Sequence, residues 1–342
     1  MAAGRLPDGR TLLATGGDDA TVRLWDPARG TTLDQPLTGN TGGVLAVATV
    51  GLPDGRTLLA TGSIDGTVRL WDPARGIVVG QPLTGHTGTV RTVAAVSFSD
   101  GRTLLATGSH DGTVQLWHPA QGTAVGQPLA GHTGGVLAMA TVGLPDGRTL
   151  LATGSDDATV RLWDPKHGTP AGRPLTGHTG GVSAMATVGL PDGRTLLATG
   201  SLDGTVRLWD PVRGTAVGQP LTGHTGWVLA VAAVGLPDGR TLLATGSSDG
   251  TVKLWDPTRA TPIGTSHIGQ PVRSLCPLSL GKIALGLDEG IAALTLPAFT
   301  PIDQADSALE VDRSSPIPSR QRTTRSISAA LRAWIRDGRH HP

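Results

Sequence analysis

Residues 85–130 read GHTGTVRTVAAVSFSDGRTLLATGSHDGTVQLWHPAQGTAVGQPLA, and the same text recurs along most of the 342-residue chain. Gly85-His86-Thr87-Gly88, Ser99-Asp100-Gly101-Arg102 and His110-Asp111-Gly112 are turn signals, because Gly and Asp-Gly supply the positive φ that tight hairpins need. Between them lie Thr89 to Val96, Thr103 to Gly108, Thr113 to Trp117 and Ala124 to Leu129. Each is a run of about 5 to 8 residues rich in Val, Leu, Thr and Ala, the length and composition of a strand. One unit therefore predicts four short strands.

Working outward, Trp25, Trp71, Trp117, Trp163, Trp209 and Trp255 fall at a constant spacing of 46 residues. A four-stranded sheet of this size cannot bury its faces alone, so the repeats must stack on one another, and radial stacking limits exposed edges.

The Gly-His … Trp-Asp frame at this period resembles the WD40-repeat β-propeller family, in its bacterial type with near-identical repeats. The resemblance covers residues 1 to about 296, with units a few residues longer than usual in the turns. It implies an all-β propeller over 1–302. Residues 272–296 read as a degenerate seventh unit, with Ile283 to Leu287 and Ile291 to Leu296 as strands and Glu289 in the aspartate position. There Leu285 and Thr295 replace the threonine and the tryptophan. Seven blades is the reading, six well-formed and one degenerate; six blades is the alternative.

The resemblance also implies a buried hydrogen-bonded set in each blade. The sets are His86, Thr107, Asp111 and Trp117; His132, Thr153, Asp157 and Trp163; His178, Thr199, Asp203 and Trp209; and His224, Thr245, Asp249 and Trp255. A buried indole N–H, a hydroxyl and an imidazole all need partners, and a carboxylate fixes the imidazole tautomer. The unit ending at Trp71 keeps Thr61 and Asp65 but has Asn40 where His belongs, so its set is expected to be weaker. The unit ending at Trp25 keeps Thr15 and Asp19 with no preceding His.

Composition narrows the function. The net charge of +1 hides a split: Arg313, Arg320, Arg322, Arg325, Arg332, Arg336 and Arg339 against Asp337 make the last 30 residues +6, leaving 1 − 6 = −5 for residues 1–312. A mildly acidic body with no Tyr and 2 Phe is poorly suited to nucleic acid, which demands cations and stacking platforms. No apolar run is long enough to span a bilayer, and the single cysteine, Cys276, excludes an internal disulfide, which fits the cytoplasm. Residues 303–325 read as a flexible linker and 326–342 as a short basic amphipathic helix and tail, with Ile327, Ala330, Leu331, Trp334 and Ile335 on one face. Met1 to Leu6 aligns with Met139 to Leu144, so the chain starts inside an innermost strand. That is the pattern expected of the C-terminal, sensing part of a larger signalling protein.

Each blade holds the residue types of a hydrolytic triad, so a hydrolase built on a propeller is the alternative function. Six near-identical candidates mark architecture rather than one active site. One His per blade, with no His-x-x-x-His or Cys pair, gives no metal site, and Leu280-Gly281-Lys282-Ile283 lacks the residues of a phosphate loop. No cofactor is expected. The reading is a non-catalytic, monomeric scaffold for protein or peptide partners.

The partner surface is read from differences among the copies. The turns Leu-Pro-Asp-Gly-Arg and Asp-Pro-x-x-Gly hardly vary, whereas three columns at the opposite end do. Before the blade aspartate stand Asp18, Ile64, His110, Asp156, Leu202 and Ser248; before the first-strand valine stand Gly43, Thr89, Gly135, Gly181 and Trp227; after it stand Leu45, Arg91, Leu137, Ser183 and Leu229. Such positions often contact partners in proteins that resemble this one, and the mixture of aromatic, Arg and aliphatic residues suits an interface. Trp227, Arg91, Thr89, Ile64, His110, Leu202, Asp156, Leu45, Leu137 and Leu229 are the candidate contacts, Trp227 foremost because it is the one repeat Trp outside the 46-residue period.

Overall fold

The computed structural model describes residues 1–5, 10–27, 29, 31–279, 281–288 and 290–296. Their strands form six four-stranded sheets and one three-stranded sheet, each antiparallel and in sequence order from the inside out. The inner strands are Ala2–Arg5, Val44–Gly51, Val90–Ser97, Val136–Gly143, Val182–Gly189, Val228–Gly235 and Val272–Ser279, one per blade. Neighbouring inner strands pack in succession, and the first also meets the seventh, so the blades close a ring. Leu13 and Trp25 of the first blade cluster with Cys276 and Ala284 of the seventh at that closure. The seven-bladed reading holds and the six-bladed alternative does not.

The burial pattern follows the repeat. The Thr-Leu-Leu-Ala-Thr-Gly-Ser second strand, as in Thr149–Ser155, is buried on both faces beyond its first residue because a blade covers it on each side. Outer strands such as Thr215–Leu221 are mostly exposed until their final leucine. Each outer strand carries a proline, Pro36, Pro82, Pro128, Pro170, Pro220 or Pro262, which removes a donor from an edge that could otherwise pair with another chain. In the fourth blade the outer strand shrinks to Thr169–Pro170, followed by a bridge between Val160 and Leu175.

One glycine column sets the joint between blades. A Cβ on Gly108, Gly154 or Gly200 would lie 2.5–2.7 Å from Cγ1 of Val136, Val182 or Val228 in the next blade. Those valines are fully buried, so the missing side chain is what lets the next blade seat.

The seventh blade corrects one alignment. Its strands Lys282–Leu287 and Gly290–Thr295 pair Ile283 with Leu294 and Leu285 with Ala292, where the sixth pairs Leu243 with Trp255 and Thr245 with Lys253. Leu294, not Thr295, therefore stands in the tryptophan column, because the hairpin at Asp288 is one residue shorter than its counterparts. Leu285 and Leu294 are both buried and pack on the sixth blade, an apolar pair in place of the polar one. Glu289, the linker at 303–325 and the helix and tail at 326–342 lie outside the described residues. Among the described residues no helix is long and apolar enough to cross a membrane.

Candidate functional site

In the third to sixth blades the polar set is a continuous relay. The indole N–H of Trp117, Trp163, Trp209 or Trp255 donates to the hydroxyl of Thr107, Thr153, Thr199 or Thr245 at 2.8–2.9 Å. That hydroxyl lies 2.8–2.9 Å from Nε2 of His86, His132, His178 or His224. Nδ1 of the same ring lies 2.9–3.1 Å from Asp111, Asp157, Asp203 or Asp249. With the carboxylate accepting from Nδ1–H, Nε2 accepts the threonine proton and every group is satisfied.

The electrostatics agree. Burial pushes each of the four carboxyls up, yet hydrogen bonds from threonine hydroxyls and backbone N–H groups outweigh it and hold them at about 2. Burial pulls His132, His178 and His224 below the usual imidazole range, with the partner aspartate opposing, so these rings are neutral near pH 7. Although Asp, His and Thr stand in the order of a hydrolytic relay, the threonine oxygens are fully buried and already accept from an indole. A nucleophile needs an exposed oxygen beside an oxyanion site.

The second blade shows what the histidine contributes. Thr61 still takes the Trp71 indole at 3.0 Å and reaches Asn40 Oδ1 at 3.3 Å, but Asn40 Nδ2 is buried without a partner. Asp65 is held instead by Thr41 and Thr67, again at about 2, where burial alone would raise it.

The variable columns gather at one end of the ring. The backbone N–H of Ile64, His110, Asp156, Leu202 and Ser248 donates to the carbonyl of Gly43, Thr89, Gly135, Gly181 and Trp227 respectively, at 2.8–2.9 Å. Adjacent blades meet there as well: a Cβ on Gly135 would lie between His110 Nδ1 and Asp156 Oδ2, and Thr89 Oγ1 donates to the Ile64 carbonyl at 3.3 Å. Trp227 and Ile64 are 54% and 50% exposed, large apolar side chains left in water. His110, Asp156 and Arg91 are exposed; Leu202 and Thr89 are half-buried. His110 Nδ1 stands 3.8 Å from Asp156 Oδ2.

The third column has a structural cause that the sequence did not reveal. Ladder register shifts between Val44 and Ala46, Val136 and Ala138, Val182 and Ala184, and Val228 and Ala230, so Leu45, Leu137, Ser183 and Leu229 are β-bulge residues, as is Arg91 between Val90 and Thr92. A bulge re-aims a side chain and ends regular pairing. Leu45, Leu137 and Leu229 are half-buried at the rim. Arg273, in the same bulge of the seventh blade, and Asp288 were missed: Arg273 Nε lies 2.7 Å from Asp288 Oδ1. The signal was the shared Val-Arg of Val90-Arg91 and Val272-Arg273, obscured by the degenerate text around it.

Paired charges occur at both ends, Arg23 with Asp19 and Arg273 with Asp288 among them at the variable one. At the invariant end Asp54, Asp100, Asp146, Asp192 and Asp238 each pair with the arginine two residues on, within 2.6–2.8 Å. That end neutralises itself. At the variable end Arg91 has no carboxylate partner among the described residues.

Compared with known families, a model described as "WD domain, G-beta repeat" matches residues 5–26, 31–72, 78–118, 124–164, 169–210 and 215–256, more than half of the chain. No curated protein matches.

Proposed function

Because the chain belongs to the WD40 repeat family, we propose that it is a non-catalytic scaffold that binds a protein or peptide partner at the variable end of its ring. The observation that carries this reading is Trp227, an exposed indole at a position where the second to fifth blades have Gly or Thr. A half-exposed Trp on the same rim as Leu202 and Leu229, with Ile64, Thr89, Arg91, His110, Asp156, Leu45 and Leu137 completing that rim, has the make-up of an interface anchor and its surround. The proline-bearing outer edges favour a monomer, and the lone buried Cys276 favours the cytoplasm. The net-negative body argues against nucleic acid as the ligand.

Affinity capture with the whole chain, read by mass spectrometry, tests the surface through paired variants. Trp227→Ala should lose specific partners, at a cost of about 2 kcal/mol in their binding, while Arg148→Ala at the opposite end should keep them. Retention by Trp227→Ala together with loss by Arg148→Ala would overturn the assignment. A hydrolytic function has one feature in its favour, the Asp-His-Thr order, and predicts esterase or phosphatase turnover abolished by Thr153→Val. The scaffold reading predicts no turnover in either form.

A further inference from the structure

From the fourth blade to the sixth, successive joints of the variable rim bring a carboxylate, a leucine and an indole side by side. A Cβ on Gly181 would lie 3.0 Å from Asp156 Oδ1 and 3.4 Å from Leu202 Cδ1, so the acid of the fourth blade and the apolar side chain of the fifth converge on one bare backbone position. On its other flank Asp156 Oδ2 would lie 3.2 Å from a Cβ on Gly135. Glycine on both sides leaves the carboxylate unwalled. One joint further on, Trp227 stands in the same column as Gly181, whose members sit against the preceding blade: a Cβ on Gly43, Gly135 or Gly181 would lie 3.1–3.2 Å from Cα of Asp18, His110 or Asp156. By that repeat the indole rises beside Leu202. Its backbone is pinned at two points, because Trp227 N–H donates to Ser248 Oγ and Ser248 N–H to the Trp227 carbonyl, both at 2.9 Å.

Asp156 is the uncommitted charge in this strip. Among the described residues its carboxylate accepts no hydrogen bond, and its one ion-pair contact is the His110 ring at 3.8 Å, beyond hydrogen-bond reach. Asp18, the other acid of the column, is opposed by the charge of Arg273. A carboxylate beside apolar side chains attracts a cation more strongly than one surrounded by water. Lys and Arg match such a strip, since their aliphatic stems cover a leucine while the charged head meets a carboxylate or the face of an indole. The net-negative body steers the same kind of group toward it. Arg91, exposed on the third blade, marks where the strip ends.

Resting on the reading of the variable end as the partner surface, we propose that Asp156, Leu202 and Trp227 take an extended segment of another protein that presents an arginine or lysine next to a bulky apolar side chain. The cationic head pairs with Asp156, its stem lies over Leu202, and the apolar neighbour packs on Trp227. The same carboxylate turns away acidic and phosphorylated segments.

The test presents the whole chain to a display library of short random linear peptides. Those it selects should be enriched in Arg or Lys adjoining Leu, Ile or an aromatic residue, and Asp156→Lys should select Asp or Glu in place of the cation. A selected basic peptide, synthesised and titrated, should bind Asp156→Asn at least about tenfold more weakly than the parent, with the difference shrinking as salt is raised. Asp192→Asn, the same change of charge at the opposite end, should bind it as the parent does. Because the Asp156 carboxylate accepts no hydrogen bond among the described residues, Asp156→Asn should keep the parent's melting curve. Selection of acidic peptides, selection of none, or basic peptides lost by Trp227→Ala but indifferent to Asp156→Asn would overturn this inference while leaving the variable end as the partner surface. Basic peptides that keep their affinity for Trp227→Ala would overturn the surface itself.

Discussion

Asn40 is a comparison that the protein makes with itself. Four sister blades join indole, threonine, imidazole and aspartate without an orphan, while Asn40 leaves Nδ2 buried and unpaired and Asp65 without its ring partner. Asn40→His should complete the fifth relay and stabilise by about 1 kcal/mol, the net worth of a buried hydrogen bond plus a removed orphan; a thermal melt compared with the parent checks it, and a lower midpoint would contradict it. Trp163→Ala works in the opposite direction. It deletes a buried ring and strands Thr153 and His132, and should cost about 3 to 5 kcal/mol, read in chemical denaturation. Because blades interact mainly with neighbours, a partly unfolded state should precede global loss.

At the scale of the strand, Gly154 decides how closely the fourth and fifth blades seat. Gly154→Ala places a methyl 2.6 Å from Val182 Cγ1 and 2.9 Å from Met185 Cε. The flexible Met185 can yield but the valine cannot, so a loss of about 1 to 3 kcal/mol is expected. A matched Gly143→Ala, at a position with open space around it, should be near neutral; equal effects would remove the packing argument. Whereas the polar relay was an expectation from the family resemblance, strand order was legible in the sequence because it repeats with a fixed period and each unit confirms the others. The register of the seventh blade was not: a turn one residue shorter moves every later partner, and only the pairing of Ile283 with Leu294 exposes it. The bulges at Leu45, Arg91 and Leu137 were equally hidden, since no residue type marks them. Their variability marked them in the sequence without showing why those side chains stand at the rim.

For the molecule as a whole, the relays make stability depend on pH in two windows. His132, His178 and His224 have folded pKa values below the unfolded one, so the unfolded chain binds protons first. Their contribution is full above about pH 6.5 and declines as pH falls through the depressed values. The five aspartates Asp65, Asp111, Asp157, Asp203 and Asp249 are held at about 2. Their contribution is full above about pH 4 and is lost between there and pH 2, where the unfolded chain again takes protons first. Melting temperature followed from pH 8 to pH 2 should show a shallow decline, then a steep one, and Asn40→His, which adds a further buried imidazole, should deepen the first. A midpoint that rises on acidification would reject the linkage.

The glycine-valine seat is the same at six successive joints, from Gly16 with Val44 to Gly246 with Val272. A seat repeated at six joints carries little address, so this contact by itself does not tell a blade which neighbour is its own. The address is written in tether length instead: six residues, 84–89, run from the end of one outer strand at Leu83 to the next inner strand at Val90, too few to skip a place. Lengthening one such tether with a flexible insert would leave the glycine-valine seats intact and still let blades dock out of turn, so this protein's assembly fidelity depends on the length of its short linking segments.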